Sequence, residues 1–203
     1  MRIEVEDEAA LRFETGAPVT AASAIAPLGD GWLVVQDDAT HAAWHRPGAT
    51  TAVRVVEAVD GHEVFSAAAG TKHLKPDFEA ACQVRRGDLV GVLLLGSGST
   101  GARMRSSLVT PLPDGPDFVV ADLTGLYGAV AAALGTPTGQ LNLEGACVQG
   151  DRLRWFQRGN PAAGVASASI DVDLPGLMLA ATGQISPESV SVDRVRRYDL
   201  GTV

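Results

Sequence analysis

The stretch EGACVQGDRLRWFQRGN, Glu144 to Asn160, decides the fold. A short apolar run leads to Gly150-Asp151. A second run, richer in large apolar residues (Leu153, Trp155, Phe156), leaves it and ends on a polar tip. A Gly-Asp turn between two β-rich runs marks a hairpin. The pattern occurs twice earlier, as SAIAPLGDGWLVVQDD from Ser23 and EAACQVRRGDLVGVLLLGSGS from Glu79. The pairs Gly29-Asp30, Gly87-Asp88 and Gly150-Asp151 stand 58 and 63 residues apart. From Ser23, Glu79 and Glu144 to the following glycine is 6, 8 and 6 residues. Self-similarity at such a period signals an array of like modules.

Two more strands follow each hairpin. They are HAAWHR and TAVRVVEA, then RMRSSLVTP and DFVVADL, then VASASIDVDL and VSVDRVRRYDL. In the last, Val190, Val192, Val195 and Tyr198 alternate with Arg194, Arg196 and Asp199, with one slip in phase, as in a half-buried strand. Helical inserts are expected at Leu123 to Leu134 and Leu177 to Thr182. The expected fold is all-β: one domain, 1–203, of three four-stranded antiparallel β-propeller blades near 20–60, 78–122 and 140–200. A spare strand is expected at Leu11 to Thr15. Propellers close with four to eight blades. Three blades therefore imply a piece of a longer ring, a ring completed by partner chains such as a homo-oligomer, or an unclosed stack.

The chain has 203 residues, 46% hydrophobic and 20% charged, with a formal net charge of −8. That composition excludes a disordered chain. The acidic balance argues against a nucleic-acid partner, because it repels phosphate. The start, MRIEVEDEAALRF, lacks the cationic and apolar regions of a signal peptide. The longest apolar run, Val90 to Leu95, is too short to span a bilayer. The expectation is a cytoplasmic protein without a membrane partner. Two cysteines, Cys82 and Cys147, hold matching blade positions and are expected as core thiols.

Hairpin geometry places the candidate site. The start of a first strand and the end of a second strand lie at one end of an antiparallel pair. Glu79, Glu144, Asp37, Asp38, Ser97, Ser99, Gly159 and Asn160 therefore gather on one face, and KHLKPD (Lys72 to Asp77) leads onto it. It also contains both lysines of the chain. Oxygen-rich carboxylate clusters suit Ca²⁺ or Mg²⁺. Glu79, Glu144 and Asn160 are the expected metal ligands. Lys72, His73 and Lys75 are the expected proton-transfer and anion-stabilising groups. Ser97, Ser99, Arg103, Arg158, Asp37 and Asp38 are the expected ligand-binding residues. His41 and His45 lie four apart on a strand, roughly 13 Å along the chain, which does not suit zinc.

GSGSTG, Gly96 to Gly101, matches a dinucleotide fingerprint only as a string. That fingerprint needs a helix behind it. ARMRSSLVTPLPDG lacks helical apolar spacing and runs into Pro111 and Pro113.

At KHLKPDFEA, LLLGSGST, LNLEGA and FQRGN the chain resembles a family of uncharacterised bacterial propeller proteins, in which these motifs follow in this order. The resemblance implies a polypeptide that continues beyond this stretch. More distantly, EGACVQGDRLRWF is similar to a blade start in gluconolactonase-like and phytase-like esterase propellers. That likeness implies a glutamate at the channel mouth binding a divalent metal. Two functions fit: metal-dependent hydrolysis of a small ester, lactone or phosphoester, or non-catalytic binding of a small molecule or protein on the channel face.

Overall fold

A computed structural model describes Glu4, residues 10–87 and residues 89–199. These residues form three four-stranded antiparallel sheets, each in simple sequence order. The first is β1 (Ala22–Leu28), β2 (Gly31–Gln36), β3 (His41–Arg46) and β4 (Ala49–Arg54). The second is β5 (Phe78–Arg86), β6 (Leu89–Gly96), β7 (Arg105–Thr110) and β8 (Asp117–Asp122). The third is β9 (Leu143–Gln149), β10 (Arg152–Gln157), β11 (Ser167–Asp173) and β12 (Val192–Tyr198). The all-β, blade-built fold expected from the hairpin repeat is what the chain adopts.

Gly29, Gly87 and Gly150 turn the first hairpin of each blade with φ of 58°, 58° and 61°. Glycine reaches this left-handed region without steric cost. Asp88 lies outside the described residues, as does Leu200. The dinucleotide reading fails as expected. GSGSTG runs into one 3₁₀ turn, Gly101–Arg103, and then into β7.

The blades meet through their first strands: β5 packs against β1 on one side and β9 on the other. Between the first two blades, Leu28, Leu33 and Val35 interlock with Phe78, Val92 and Leu94. The junction of the second and third blades is thicker because two helices wedge into it, α1 (Thr124–Leu134) and α2 (Leu174–Ala181). Leu126, Tyr127 and Val130 of α1 and Leu177 of α2 join Leu93, Leu95, Leu153 and Trp155 in one core. Tyr127 meets Trp155 edge to face with centroids 4.9 Å apart, and its hydroxyl donates to the Gly96 carbonyl at 2.7 Å.

Two expectations need correction. The second helix begins at Leu174, three residues before Leu177. Asp173 caps it, accepting from the Gly176 N–H at 2.8 Å, and Pro175 suits the first turn. Leu11 to Thr15 is not a blade strand. Phe13 N–H donates to Ala17 O, Arg12 bridges Pro18, and Gly16 takes φ of 84°, so the segment folds back into a tight turn.

Trp155 is fully buried between two blades and α1. Trp155→Ala is expected to cost about 3–5 kcal/mol in urea unfolding. Trp32→Ala, on a half-exposed side chain, should cost well under half of that in the same measurement.

Candidate functional site

Each first strand opens with a β-bulge at the same place. Ala22 pairs with Gln36 and Ala24 with Val35, skipping Ser23. Phe78 pairs with Gly96 and Ala80 with Leu95, skipping Glu79. Leu143 pairs with Gln157 and Gly145 with Phe156, skipping Glu144. A bulge leaves one residue unpaired and re-aims its side chain. Ser23, Glu79 and Glu144, aligned from sequence as strand starts, are thus the extra residues of three equivalent bulges.

A run of main-chain bonds ties the blade mouths together. Asp77 N–H donates to Asp37 O at 3.2 Å, Ser97 N–H to Asp77 O at 3.0 Å, and Leu143 N–H to Ser97 O at 2.9 Å. Asp37 and Ser97 are therefore held at adjoining blade ends, as hairpin geometry requires. Ser23 Oγ donates to Phe78 O at 2.6 Å, so the first blade uses a hydroxyl as an inter-blade clasp where the other two carry a glutamate.

Charged side chains fill this mouth. Asp77 is 4% exposed and sits at its centre. Its carboxylate meets the Lys75 ammonium, the Arg103 guanidinium at 3.0 Å and the Ser97 hydroxyl. Lys75 also pairs with Asp37. Arg103 reaches Ser99 Oγ at 2.8 Å, and Ser99 Oγ lies 2.8 Å from Ser97 Oγ. One carboxylate oxygen each of Asp37, Asp77 and Glu79 lies within 4.8 Å of the others. Burial, then the charges of Asp77, Glu144 and Asp37, push the Glu79 carboxyl up to about 7, with Lys75 opposing. Glu144 pairs with Arg158 at 3.2 Å.

The ligand set expected from sequence is therefore regrouped. Glu79 has Asp37 and Asp77 as its close companions. Glu144 is held by Arg158 on the rim. Asn160 is exposed and forms a β-bridge with Val165. A cavity of about 330 Å³ opens beside the cluster, lined by Asp37, Asp38, Phe65, Ser66, Lys72 and Lys75. Burial and the neighbouring Asp37 raise the Asp38 carboxyl, and its Oδ1 is buried without a hydrogen bond. Lys72 and His73 are exposed on the 3₁₀ turn Lys72–Leu74 that leads to the site. Cys82 is buried and Cys147 half-buried, both as free thiols.

Asp77 was not singled out by the sequence pattern. An aspartate after proline reads as a turn former, and only its place two residues before Glu79 pointed here. The turn reading is also sound, since Asp77 takes φ of 56°.

The fold and this site define an all-β protein of propeller-type blades with an acidic, ion-paired mouth. The chain belongs to a family of unknown function, DUF6929, whose model matches residues 18–203. No curated protein matches it. Among the described residues no helix is long and apolar enough to cross a membrane.

Two outcomes follow. Asparagine tolerates the left-handed backbone at 77, but Asp77→Asn removes the charge and sets an amide N–H₂ against one of the donors, Lys75 on one oxygen or Arg103 and Ser97 on the other. It leaves Lys75 and Arg103 half-paired and should cost about 3 kcal/mol or more in denaturant unfolding. The second concerns pH. Between about 4.5 and about 7 folded Glu79 holds a proton that the unfolded chain releases. Its contribution to stability therefore falls as pH rises through that window. Glu79→Gln should flatten this decline and melt above the wild type at pH 8 in a pH series of thermal melts.

Proposed function

We propose that the blade mouth binds a divalent cation, Ca²⁺ or Mg²⁺, and uses it to hydrolyse a small ester, lactone or phosphoester. The observation that carries this reading is the convergence of Asp37, Asp77 and Glu79 within 4.8 Å. Three carboxylates supply hard oxygen ligands, and Ca²⁺ completes 6–8 with water or a neighbouring oxygen. When bound, such a cation polarises a substrate oxygen. The chain's own groups do the rest. Glu79, whose carboxyl burial and the neighbouring acids push up to about 7, would give up its proton to ligate the cation. Lys72 and Lys75, on the wall of the adjoining cavity, hold the anionic part of a substrate there. His73 stands on the approach turn as a proton carrier.

A second reading is favoured by Lys75 and Arg103. They pair directly with the Asp37 and Asp77 carboxylates. On that reading the mouth is a finished ion-paired surface, and the chain binds a small molecule or protein without catalysis.

Thermal melts in EDTA, Ca²⁺ and Mg²⁺ separate the two. A cation that binds only the folded chain raises the melting temperature with its concentration. Asp37→Asn should remove that rise. A melting temperature indifferent to all three conditions sinks the cation site and leaves the binding surface. Hydrolysis of a panel of ester, lactone and phosphoester substrates, dependent on the same cation and lost in Glu79→Gln, is the expected activity.

A further inference from the structure

The turn at 11–18 roofs a second cavity on the first blade. Gly16, at φ of 84°, folds the chain back, and Glu14 N–H donates to Thr50 O at 3.0 Å. The Phe13 ring lies 5.6 Å from that of His41. Thr20 N–H donates to Gln36 Oε1 at 2.8 Å, which pins the exit of the turn to β2. Beneath this roof lies a cleft of about 400 Å³. Small-molecule sites run from roughly 300 to 1,000 Å³. Phe13, Pro18, Ala52 and Val64 give the cleft apolar walls. Val64 is 56% exposed, a large apolar side chain left open there.

Charge in the cleft has one sign. Among the described residues Glu14 and Asp38 line it, and no lysine or arginine does. The nearby bases are engaged elsewhere. Arg12 donates to Gly16 O at 3.1 Å, Arg54 pairs with Glu63, and Lys75 pairs with Asp37 and Asp77. Burial pushes the His41 imidazole below its usual pKa, so near neutral pH the ring adds no positive charge. The main chain fixes Asp38 in place: its C=O accepts from Phe65 N–H at 2.8 Å, and Ala39 forms a β-bridge with Val64. Val64 lines the cleft and Phe65 the mouth cavity, and Asp38 lines both, as part of the wall between them. Asp38 Oδ1 is buried without a hydrogen bond. A buried acceptor without a partner is costly, and a donor that reaches it removes that penalty.

We propose that this cleft binds a small organic ammonium ion, with its N–H groups on the Asp38 carboxylate and its apolar body under Phe13. The class of ligand follows from the walls. A cleft lined by acids and by no base concentrates cations and repels carboxylates and phosphates. A hydrated inorganic cation gains nothing from apolar walls, whereas an alkyl or aryl body removes them from water. An aromatic ring in the wall favours an ammonium further. A neutral apolar molecule would leave Asp38 Oδ1 without a donor. The inference is independent of divalent-cation binding at the mouth, since Asp37, Asp77 and Glu79 do not line the cleft.

Calorimetric titration of the whole chain in EDTA tests it, with benzylammonium, benzyl alcohol and benzoate as probes of like shape and different charge. Benzylammonium should bind at a single site, benzyl alcohol at least about tenfold more weakly, and benzoate without measurable heat. The His41 ring protons, followed by nuclear magnetic resonance, should shift as benzylammonium is added. Asp38→Asn should weaken benzylammonium by about tenfold or more and leave benzyl alcohol unchanged. Ala52→Trp, on an exposed wall of the cleft, should block all binding with unchanged far-ultraviolet circular dichroism. Absence of benzylammonium binding, or binding that leaves the His41 signals unmoved, overturns the proposal. Equal affinity for benzylammonium and benzyl alcohol also overturns it, because that pattern belongs to an apolar slot without a charged anchor. So does benzylammonium binding that is indifferent to Asp38→Asn.

Discussion

A buried carboxylate must be met by positive charge, and the mouth of this molecule is arranged around that requirement at Asp77. With 4% of its surface exposed, it draws in Lys75 from its own approach segment and Arg103 from the loop after β6. Its N–H and C=O join the ends of the first and second blades through Asp37 and Ser97. Desolvation of these ions is costly, and only complete pairing and hydrogen bonding offsets it. The same residues that satisfy Asp77 are therefore committed to holding blades together, which fixes the Asp37, Asp77 and Glu79 carboxylates near one another. Glu79, left with the smallest share of compensation, is the group pushed toward neutral pH.

The three blades share one bulge and use it differently. Serine in the first makes a clasp to the next blade, glutamate in the second faces the acidic cluster, and glutamate in the third turns to Arg158. A parallel difference occurs where the second strand ends. Gln36 and Gln157 accept from the Thr20 and Asn142 N–H groups, both at 2.8 Å. The second blade has Gly96 there, and a Cβ on it would overlap the Arg103 carbonyl oxygen. Losing the glutamine lets the loop carrying Arg103 come close enough to reach Asp77. The charged centre and the departure from the repeat have one cause.

Helices α1 and α2 make the array asymmetric. They fill the wedge between the second and third blades, while the first two blades pack directly. The open face at one end is apolar on its inner hairpin, and at the other it is polar with its charges paired.

The amino-acid order by itself determined the blade plan. Gly-Asp turns at matched offsets and period-2 alternation are local signals, and local signals decide hairpins. Strand assignment, the equivalence of Ser23, Glu79 and Glu144, and the gathering of Asp37, Ser97 and Lys75 on one face all followed from them. What only the tertiary structure decided was which charges pair. Asp77 looked like a turn former because its burial comes from neighbouring blades, and strand ends alone say nothing of where the loop carrying Asn160 goes next. The partition of four acids among Lys75, Arg103 and Arg158 depends on separations of a few ångströms between residues distant in the chain. No local pattern encodes those separations, and packing of one blade on the next sets them.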